Sequence, residues 1–530
     1  MKRSLSLLVV GALLATTGLT ACTDSTPADP TLDKYLLNGT YRPSIIVDPG
    51  TLDPHMSMNM GALELSSLAY DTIVGTDADG QILPQLATTW EVKEFEASFE
   101  IRGGITCSDG SKMDAETIAH NINWLGATNN SSPYLGTMVP EGISAVADPD
   151  TNTVYVDLTQ QFPFLLSALA HVPMVCEAAI NERSQLASHT LGSGPYVLSE
   201  AVPQDHYTYE RRGGYDWGPN GARSDEPGMP KLIVVKVIPY ESVGIDQLIT
   251  GEVNTAASSG GGIEKAVEAG LQAVDVDSII GNTWFNQAEG RPTAELAVRT
   301  GLTKALDYDA LTKLITNDQG SRATTMTIVP PVGCHYDAVT SNFPAYDPTG
   351  VAATLEQAGY KQLEDGFYAR DGQVLTIEFV FDSNLGDAGN AAADKAVEQW
   401  LAAGIKVNAN SKSTNDITEL LFTGGEWDVV WEPINLNYPD QMVGFFSGPG
   451  VDENGSNFSG VSNEEYEEHV TEAMSKTGES ACDEFAKAEA SLIRNIDYLV
   501  WAQSPNKIFY DKVEFDYAGR TIATSIRLLK

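Results

Sequence analysis

The segment from Thr51 to Gly61 is the first stretch of the chain whose side chains could do chemistry. It reads TLDPHMSMNMG and contains His55 together with three methionines, Met56, Met58 and Met60. Imidazole and thioether groups are plausible ligands for a soft metal such as Cu(I), or for nickel. Methionine is also flexible and polarisable, so these residues could equally line a binding cleft or fill a hydrophobic core. The residues alone leave the three roles open.

Motifs of the common enzyme classes are absent from the sequence. It contains no HExxH, no GxSxG and no GxxxxGK[ST], and no two of its seven histidines have i, i+4 spacing. A nucleophile with a neighbouring base is not visible either. We therefore expect a protein that is not an enzyme, that has no cofactor and that has no resident metal.

The N-terminal residues have the features of an export signal. Residues 1–21 combine two basic residues near the start with an apolar run from Leu5 to Leu14, which is too short to span a membrane. The sequence LTAC, which ends at Cys22, resembles a bacterial lipobox, in which the cysteine is lipidated after cleavage. A plain secreted protein with a chance cysteine is the alternative. Residues 22–35 are predicted to form a flexible tether. We expect a protein anchored by lipid at the extracellular face of the bacterial cytoplasmic membrane.

Charge and length restrict the partners and the architecture. The chain has 72 acidic and 32 basic residues, and removing Lys2 and Arg3 with the signal would leave a formal charge of −42. Such a surface argues against binding nucleic acid and against docking on anionic lipid headgroups. About 500 remaining residues exceed what one hydrophobic core accommodates, so two or three structural domains are expected.

Four cysteines remain besides Cys22. They are Cys107, Cys176, Cys334 and Cys482, and none has CxxC spacing, which disfavours a zinc or redox site. An oxidising exterior permits disulfides, and four cysteines allow three pairings. We favour Cys107–Cys176 and Cys334–Cys482, because each bridge then stays within one half of the chain.

Hydrophobic periodicity predicts helices that alternate with strands, which is typical of α/β construction. The predicted helices cover residues 62–74, 111–125, 242–248, 294–305, 309–316, 350–358, 388–403 and 464–474. The predicted strands cover residues 40–47, 91–101, 196–211, 231–239, 375–381, 405–410 and 427–431, with a hairpin over 145–158.

A series of motifs, in order along the chain, resembles the family 5 extracellular solute-binding proteins. These are the oligopeptide-, dipeptide- and nickel-binding lipoproteins of ABC importers. The motifs are LDPH at 52–55, ADGQILPQLATTWEV at 78–92, FEIRGGITCSDGSKMDAETIAHNINW at 99–124, GSGPYVLSE at 192–200, KVIPYESVGIDQLITGEVN at 236–254, WFNQ at 284–287, VRTGLTKALDYDAL at 298–311, YDPTGVAATLEQAGY at 346–360, and WDVV and NYPD between 427 and 440.

The resemblance implies a two-lobed periplasmic-binding-protein type II fold with an additional domain and a hinge between the lobes. Lobe I would comprise residues 36–60, 190–275 and 491–530, the additional domain II residues 61–189, and lobe III residues 276–490. The ligand would be enclosed between lobes I and III by hinge closure. The resemblance also implies a monomer that delivers its ligand to a membrane permease with ATPase subunits.

The resemblance further suggests which residues line the cleft. His55 matches a family residue that needs no metal, so Met56, Met58 and Met60 would fall at the cleft, and Tyr134 matches a cleft tyrosine of the peptide binders. Trp284, Trp431 and Tyr438 could stack on a sugar ring or an apolar side chain, with core packing as the alternative.

The segment Asn435–Gln441 departs from the family pattern where the ligand's ammonium is bound. Members commonly have Asp-Tyr-Pro-Asp-Pro, and the first aspartate pairs with the α-ammonium of a peptide, whereas this chain has Asn437. A neutral amide binds an ammonium more weakly than a carboxylate does. Either Asp440, Glu432 or another acid takes over that role, or the ligand has no free ammonium. We expect a peptide ligand contacting Asn435, Asn437, Tyr438 and Asp440. A sugar, another small solute or a metal chelate such as one of nickel is the alternative.

Overall fold

The computed structural model describes residues 33–260, 262–423, 425–453 and 455–530. The predicted signal, the lipidation site Cys22 and most of the predicted tether lie outside these residues. Within them, none of the helices has the length and apolar character needed to cross a membrane.

The N-terminal half begins with two short strands and continues into a compact α/β unit. Asn59 caps the first helix, because its side-chain oxygen accepts a hydrogen bond from the Ala62 amide at 2.8 Å. The elements are β1 (Thr40–Tyr41), β2 (Ser44–Ile45), α1 (Met60–Ala69), β3 (Val74–Thr76), β4 (Ile82–Pro84), β5 (Ala87–Val92), β6 (Glu96–Ile101), α2 (Ala115–Gly126), β7 (Ser144–Asp148), β8 (Thr153–Asp157), α3 (Leu165–Leu169) and α4 (Glu177–Asn181).

The part of this unit that was predicted as domain II is built on an antiparallel sheet in the order β5-β6-β8-β7. Alternate side chains such as Phe99 and Val154 are buried beneath helix α2, as the period of two requires. The predicted disulfide Cys107–Cys176 is present in this unit, with a Cα–Cα distance of 6.1 Å.

The residues predicted as lobe I supply strands from separate parts of the chain. Its middle portion contains β9 (Tyr196–Val202), β10 (His206–Arg211), β11 (Leu232–Val237), α5 (Glu241–Ile249), β12 (Thr255–Ser258) and α6 (Gly262–Glu268). Strand β11 pairs antiparallel with β10 and parallel with both β1 and β2. The N-terminal strands therefore join a sheet whose remaining strands come after domain II.

The second half of the chain contains the residues predicted as lobe III and the C-terminal part of the predicted lobe I. Its elements are β13 (Gln272–Phe285), α7 (Leu296–Lys304), α8 (Tyr308–Ile315), α9 (Val351–Gln357), β14 (Lys361–Gln362), β15 (Tyr368–Arg370), β16 (Gln373–Val374), β17 (Thr376–Asp382), α10 (Gly386–Ala402), β18 (Lys406–Lys412), α11 (Thr414–Thr423), β19 (Val429–Trp431), α12 (Val443–Phe446), α13 (Glu464–Met474), α14 (Cys482–Arg494), β20 (Tyr498–Tyr510), β21 (Val513–Glu514) and β22 (Arg527–Leu528). The predicted disulfide Cys334–Cys482 is also present, with a Cα–Cα distance of 5.5 Å.

The two long strands β13 and β20 connect the lobes. They pair antiparallel along their whole length, from Gln272 opposite Tyr510 to Trp284 opposite Tyr498. One end packs in a small core of lobe I around Phe509, and the other end packs in the large core of lobe III. The resulting sheet has the order β12-β20-β13-β19-β17-β18 and runs through both lobes.

Core contacts of lobe III continue beyond its predicted C-terminal boundary at residue 490. The predicted division at residue 490 falls inside α14, and side chains from Leu492 to Ala502 pack in the lobe III core. Because a domain boundary belongs where few core contacts cross, we propose that it lies within β20, after Ala502.

Candidate functional site

His55 joins the N-terminal segment to domain II through hydrogen bonds. Its ring is fully buried, and Nε2 lies 2.5 Å from the carbonyl oxygen of Pro173. Burial, reinforced by the nearby positive charge of Arg183, lowers the pKa of His55 to about 4. The neutral ring therefore donates its Nε2–H to Pro173 at pH 7. The hydroxyl of Ser132 donates in turn to the His55 carbonyl at 2.7 Å. In this arrangement Nε2 already has a hydrogen-bond partner within the protein.

The aspartate of the same segment forms a bidentate ion pair. Arg183 donates from Nε and from one terminal nitrogen to the two carboxylate oxygens of Asp53, at 2.7 and 2.6 Å. The guanidinium also lies over the ring of Trp124, 3.4 Å from its centroid. Both charges are largely shielded from solvent, so each depends on the other for compensation.

The three methionines lie in different surroundings from His55. Met56 and Met60 are 41% and 52% exposed, whereas Met58 is half-buried with its sulfur 3.9 Å from the hydroxyl of Thr137. Within the described ranges, no group of three or more His, Cys, Asp or Glu side chains could hold a metal ion. A cleft-lining role for the methionines stays a prediction.

The segment Asn435–Gln441 is held by its amide side chains. Asn435 accepts a hydrogen bond from the Ile279 amide at 2.7 Å and donates to the Ile279 carbonyl at 3.0 Å. Asn437 donates from Nδ2 to the carbonyls of Val329 and Pro330, both at 3.0 Å. Both side chains therefore bind main-chain groups, and the amide of Asn437 holds the loop that contains Val329 and Pro330.

Tyr438 and Gln441 of the same segment contact domain II. The Tyr438 ring stacks on Phe164 with a centroid distance of 5.3 Å and an interplanar angle of 13°. The ring also approaches Gly333 so closely that a Cβ there would lie 2.4 Å from it. Gln441 donates to the Thr137 carbonyl at 3.1 Å. The segment therefore contacts the hinge strand β13, lobe III and domain II together.

A cation and two hydroxyls lie at this junction. Arg520, on the loop before β22, donates to the carbonyls of Ala170 at 3.1 Å and His171 at 3.4 Å, just after α3. Its charge acts on the hydroxyls of Tyr134 and Tyr438, each of which is 1% exposed. Neither hydroxyl has a hydrogen-bond partner among the described residues.

Asp440 places a carboxyl group at the same junction. Burial raises the pKa of Asp440 to about 7, and neither of its carboxyl oxygens has a hydrogen-bond partner among the described residues. This acid is therefore incompletely ionised at neutral pH, in contrast to an exposed aspartate.

A pair of acids lies at the carboxyl ends of the parallel strands of lobe III. Phe381 of β17 pairs with Trp431 of β19, so the next residues, Asp382 and Glu432, are neighbours. Burial, reinforced by the charge of Asp382, raises the pKa of Glu432 to about 8. Thr414 donates to Asp382 at 2.7 Å. Ligands of α/β sheets commonly bind at this edge.

Trp284 and Trp431 fill the lobe III core in this structure. Trp284 is fully buried, stacks on Phe446 and donates from Nε1 to the Glu432 carbonyl at 3.1 Å. Trp431 is 1% exposed and lies 5.0 Å from Trp501, centroid to centroid. These contacts correspond to the core-packing alternative, and stacking on a ligand stays a prediction.

Most of the chain matches one known protein family. The family model for bacterial extracellular solute-binding proteins, family 5 Middle, matches residues 81–454, which is more than two thirds of the chain. The chain belongs to this family.

Curated relatives of this family 5 protein bind different solutes. The chain is 25% identical over 383 residues to the nickel-binding periplasmic protein of Escherichia coli, covering 68% of each chain. It is 22% identical over 340 residues to the periplasmic oligopeptide-binding protein OppA of Salmonella typhimurium, covering 59% of this chain and 60% of that one.

Solved structures confirm the predicted type II periplasmic-binding fold for this family 5 chain. The open, unliganded periplasmic murein tripeptide-binding protein MppA has a TM-score of 0.75 at 16% identity, with 94% of this chain and 98% of that chain covered. The oligopeptide-binding protein AppA of Bacillus subtilis, in complex with a nonapeptide, has a TM-score of 0.66 at 17% identity, with 94% and 100% covered.

Arg183→Met should destabilise the protein by about 3–5 kcal/mol, because it leaves the buried Asp53 carboxylate without its partner. Arg223→Met is the matched control, since Arg223 and Asp225 form an ion pair that is mostly exposed. That control should cost at most about 1 kcal/mol. Urea unfolding measures both, and equal losses would contradict the structural role of the Asp53–Arg183 pair.

Glu432→Gln should remove a pH dependence that the raised pKa creates. The folded chain keeps this proton up to about pH 8, whereas an ordinary glutamate loses it near 4.5. Between these values the folded state binds more protons, so the parent's free energy of unfolding falls as pH rises. The variant should match the parent at about pH 4.5 and exceed it by roughly 2–4 kcal/mol above pH 8.

Urea unfolding of parent and variant at both pH values provides the measurement for Glu432. Asp440 and Glu489, whose pKa values burial raises to about 7, titrate in both proteins and cancel in the difference. A stability difference that stays constant with pH would contradict the buried acidic pair.

Proposed function

We propose that this chain is the lipid-anchored solute-binding component of an ABC import system and that its ligand is a peptide. The observation that carries the proposal is the family 5 match over residues 81–454 together with a sheet that runs through both lobes on β13 and β20. Such a connection allows the lobes to close around a solute. The closed form would then be recognised by a membrane permease and its ATPase subunits.

A peptide is the favoured ligand class because several relatives are named for peptides. OppA proteins of Salmonella typhimurium, Escherichia coli and Bacillus subtilis are among the curated relatives. Polar groups from lobe I, lobe III and domain II also meet at one junction, as a ligand with several polar groups requires. The protein would hold this ligand without changing it chemically, as a monomer.

A metal chelate is the second candidate, because the nickel-binding periplasmic protein of Escherichia coli is a relative of comparable similarity. In that case donor atoms would come mainly from the chelator, since the described residues offer no clustered set of histidine, cysteine or carboxylate ligands.

Native mass spectrometry of protein purified from its own host would distinguish these ligands by weighing the solute that copurifies. We expect a set of adducts whose masses and fragmentation correspond to short peptides. Adducts that contain a transition metal would favour the chelate, and adducts that fragment as carbohydrates would contradict the peptide proposal.

Cys22→Ser should abolish lipidation, because only a cysteine sulfur can accept the diacylglycerol. We expect loss of labelling by radioactive palmitate and transfer of the protein from the membrane fraction to the medium or periplasm. Ser25→Ala, three residues further along, is the control and should leave both unchanged. Continued labelling of the Cys22→Ser protein would contradict the proposed anchor.

A further inference from the structure

Three hydrogen-bond donors from different parts of the chain converge beside α3. Arg520 comes from the C-terminal loop of lobe I, Tyr134 from domain II, and Tyr438 from the Asn435–Gln441 segment of lobe III. Arg520 binds the carbonyls of Ala170 and His171, and Tyr438 stacks on Phe164, so both are positioned by the same short helix and its flanks.

The two tyrosine hydroxyls are buried without partners. Each residue is 1% exposed, and neither Oη has a hydrogen-bond partner in the part of the chain that the structure describes. Burial raises the pKa of Tyr134 to about 12 and raises that of Tyr438 further, so both hydroxyls keep their protons at neutral pH. A buried hydroxyl that lacks a partner costs free energy, and an acceptor supplied by a ligand would recover it.

The guanidinium of Arg520 also lacks a protein counter-ion. It forms no ion pair with a carboxylate of the described residues, although the chain has 72 acidic residues against 32 basic ones. Glu64 and Asp71 are its acidic neighbours, but neither lies within ion-pair distance of the guanidinium. Glu64 accepts from the Thr521 amide, and Asp71 accepts from four side chains, those of Gln85, Ser193, Tyr215 and Trp217.

The remaining polar groups at the junction add little negative charge. His171, which is 8% exposed, is kept neutral because burial and Arg520 lower its pKa well below the ordinary value. Asn437 is neutral, and its Nδ2 already binds main chain. Asp440 is only partly ionised at neutral pH. The guanidinium of Arg520 and the two unpartnered hydroxyl donors together suit a negatively charged group.

We propose that Arg520, Tyr134 and Tyr438 bind a carboxylate of the imported solute. A carboxylate is planar and accepts about four hydrogen bonds, and a guanidinium offers five N–H donors, of which two carbonyls here take one each. The two tyrosine hydroxyls supply further donors. This inference rests on the proposed function and narrows its ligand to solutes with an accessible carboxylate.

Arg520 has a competing role that is purely structural. Its bonds to Ala170 and His171 satisfy carbonyls at the C-terminal end of α3, where a cation is favourable. If this were its whole role, replacing Arg520 would lower stability and leave ligand selection unchanged.

The experiment uses two mixtures as probes against the full-length protein after removal of the copurified solute. One is a mixture of tri- to pentapeptides with free C-termini, and the other is the same mixture after C-terminal amidation. A third probe, a mixture of small non-peptide carboxylic acids, separates a peptide carboxylate from other carboxylates. Native mass spectrometry identifies the retained compounds, and titration of the best one gives Kd.

We expect retention of carboxylates and loss of retention on amidation. Arg520→Met should raise Kd for the retained carboxylate by about 30-fold or more, and Arg520→Lys by less, because lysine keeps the charge. Tyr134→Phe and Tyr438→Phe should each raise Kd by about tenfold. Arg211→Met is the control, since Arg211 also donates to a carbonyl, that of Met229, at a site away from the junction. Its Kd should equal that of the parent.

The other outcomes distinguish the carboxylate site from the proposed peptide ligand. Equal retention of free and amidated peptides, or an unchanged Kd in folded Arg520→Met and both Tyr→Phe variants, would overturn the carboxylate site while leaving peptide import intact. Retention of non-peptide acids alone, with the same dependence on Arg520, would support the carboxylate site and overturn the peptide ligand. If all three mixtures fail to bind, the carboxylate site is overturned.

Discussion

The pairing of β13 with β20 is the constraint on which the rest of the structure depends. Hydrogen bonds run from Gln272 opposite Tyr510 to Trp284 opposite Tyr498, so one ladder begins in the core of lobe I and ends in the core of lobe III. Both strands are buried at the lobe III end, from Asn282 to Phe285 and from Tyr498 to Ala502, and Phe509 of β20 is buried in the small core of lobe I. Between these parts the ladder is more exposed and carries polar side chains such as Asp275 and Lys507, which form an ion pair of 2.6 Å. This partly solvated stretch can bend without unpacking either core.

The candidate site contacts this ladder close to the place where the strand register is irregular. The register of β13 shifts around Gly281, where a Cβ would lie 2.6 Å from that of Ala502, so only glycine allows the two strands this approach. Two residues earlier, Ile279 exchanges both main-chain hydrogen bonds with the side chain of Asn435. A movement of the hinge strand is therefore transmitted directly to the Asn435–Gln441 segment, which carries Tyr438 to the junction with Arg520 and Tyr134.

Sequence patterns predicted the elements whose signals are local. The helix predicted over 464–474 has those bounds, because Asn463 caps it and its apolar spacing is regular. The strand predicted over 91–101 is instead the hairpin β5–β6, since its alternation hid a turn near Phe95. The predictions omitted β13 and β20, because each strand combines a buried apolar stretch with a polar one and matches no single strand pattern. They also omitted α11 and α14. The register of strand residues that are 226 positions apart in the sequence, such as Ser278 and Ser504, is a tertiary property that no local pattern encodes.

The site was predictable only where family motifs marked it. Asn437 and Tyr438 lie in the NYPD motif and Tyr134 matches a family tyrosine, and all three reach the junction. Arg520 follows Gly519 in a loop without periodicity, and its role depends on neighbours from residues 134, 170 and 438. Asp382 likewise becomes notable only beside Glu432, because strands β17 and β19 are parallel and in register.

The most direct test of the account is a distance measurement across the hinge. Spin labels on Tyr240→Cys in lobe I and Tyr346→Cys in lobe III, both of which are exposed positions, report on the relative placement of the lobes. Labels on Tyr240→Cys and Val267→Cys, both in lobe I, form the control pair. When the copurifying solute is returned to unloaded protein, the account predicts that the inter-lobe distance changes by several ångströms and that the control distance stays constant. Solute that binds, as mass spectrometry shows, while both distances remain unchanged would contradict closure about β13 and β20.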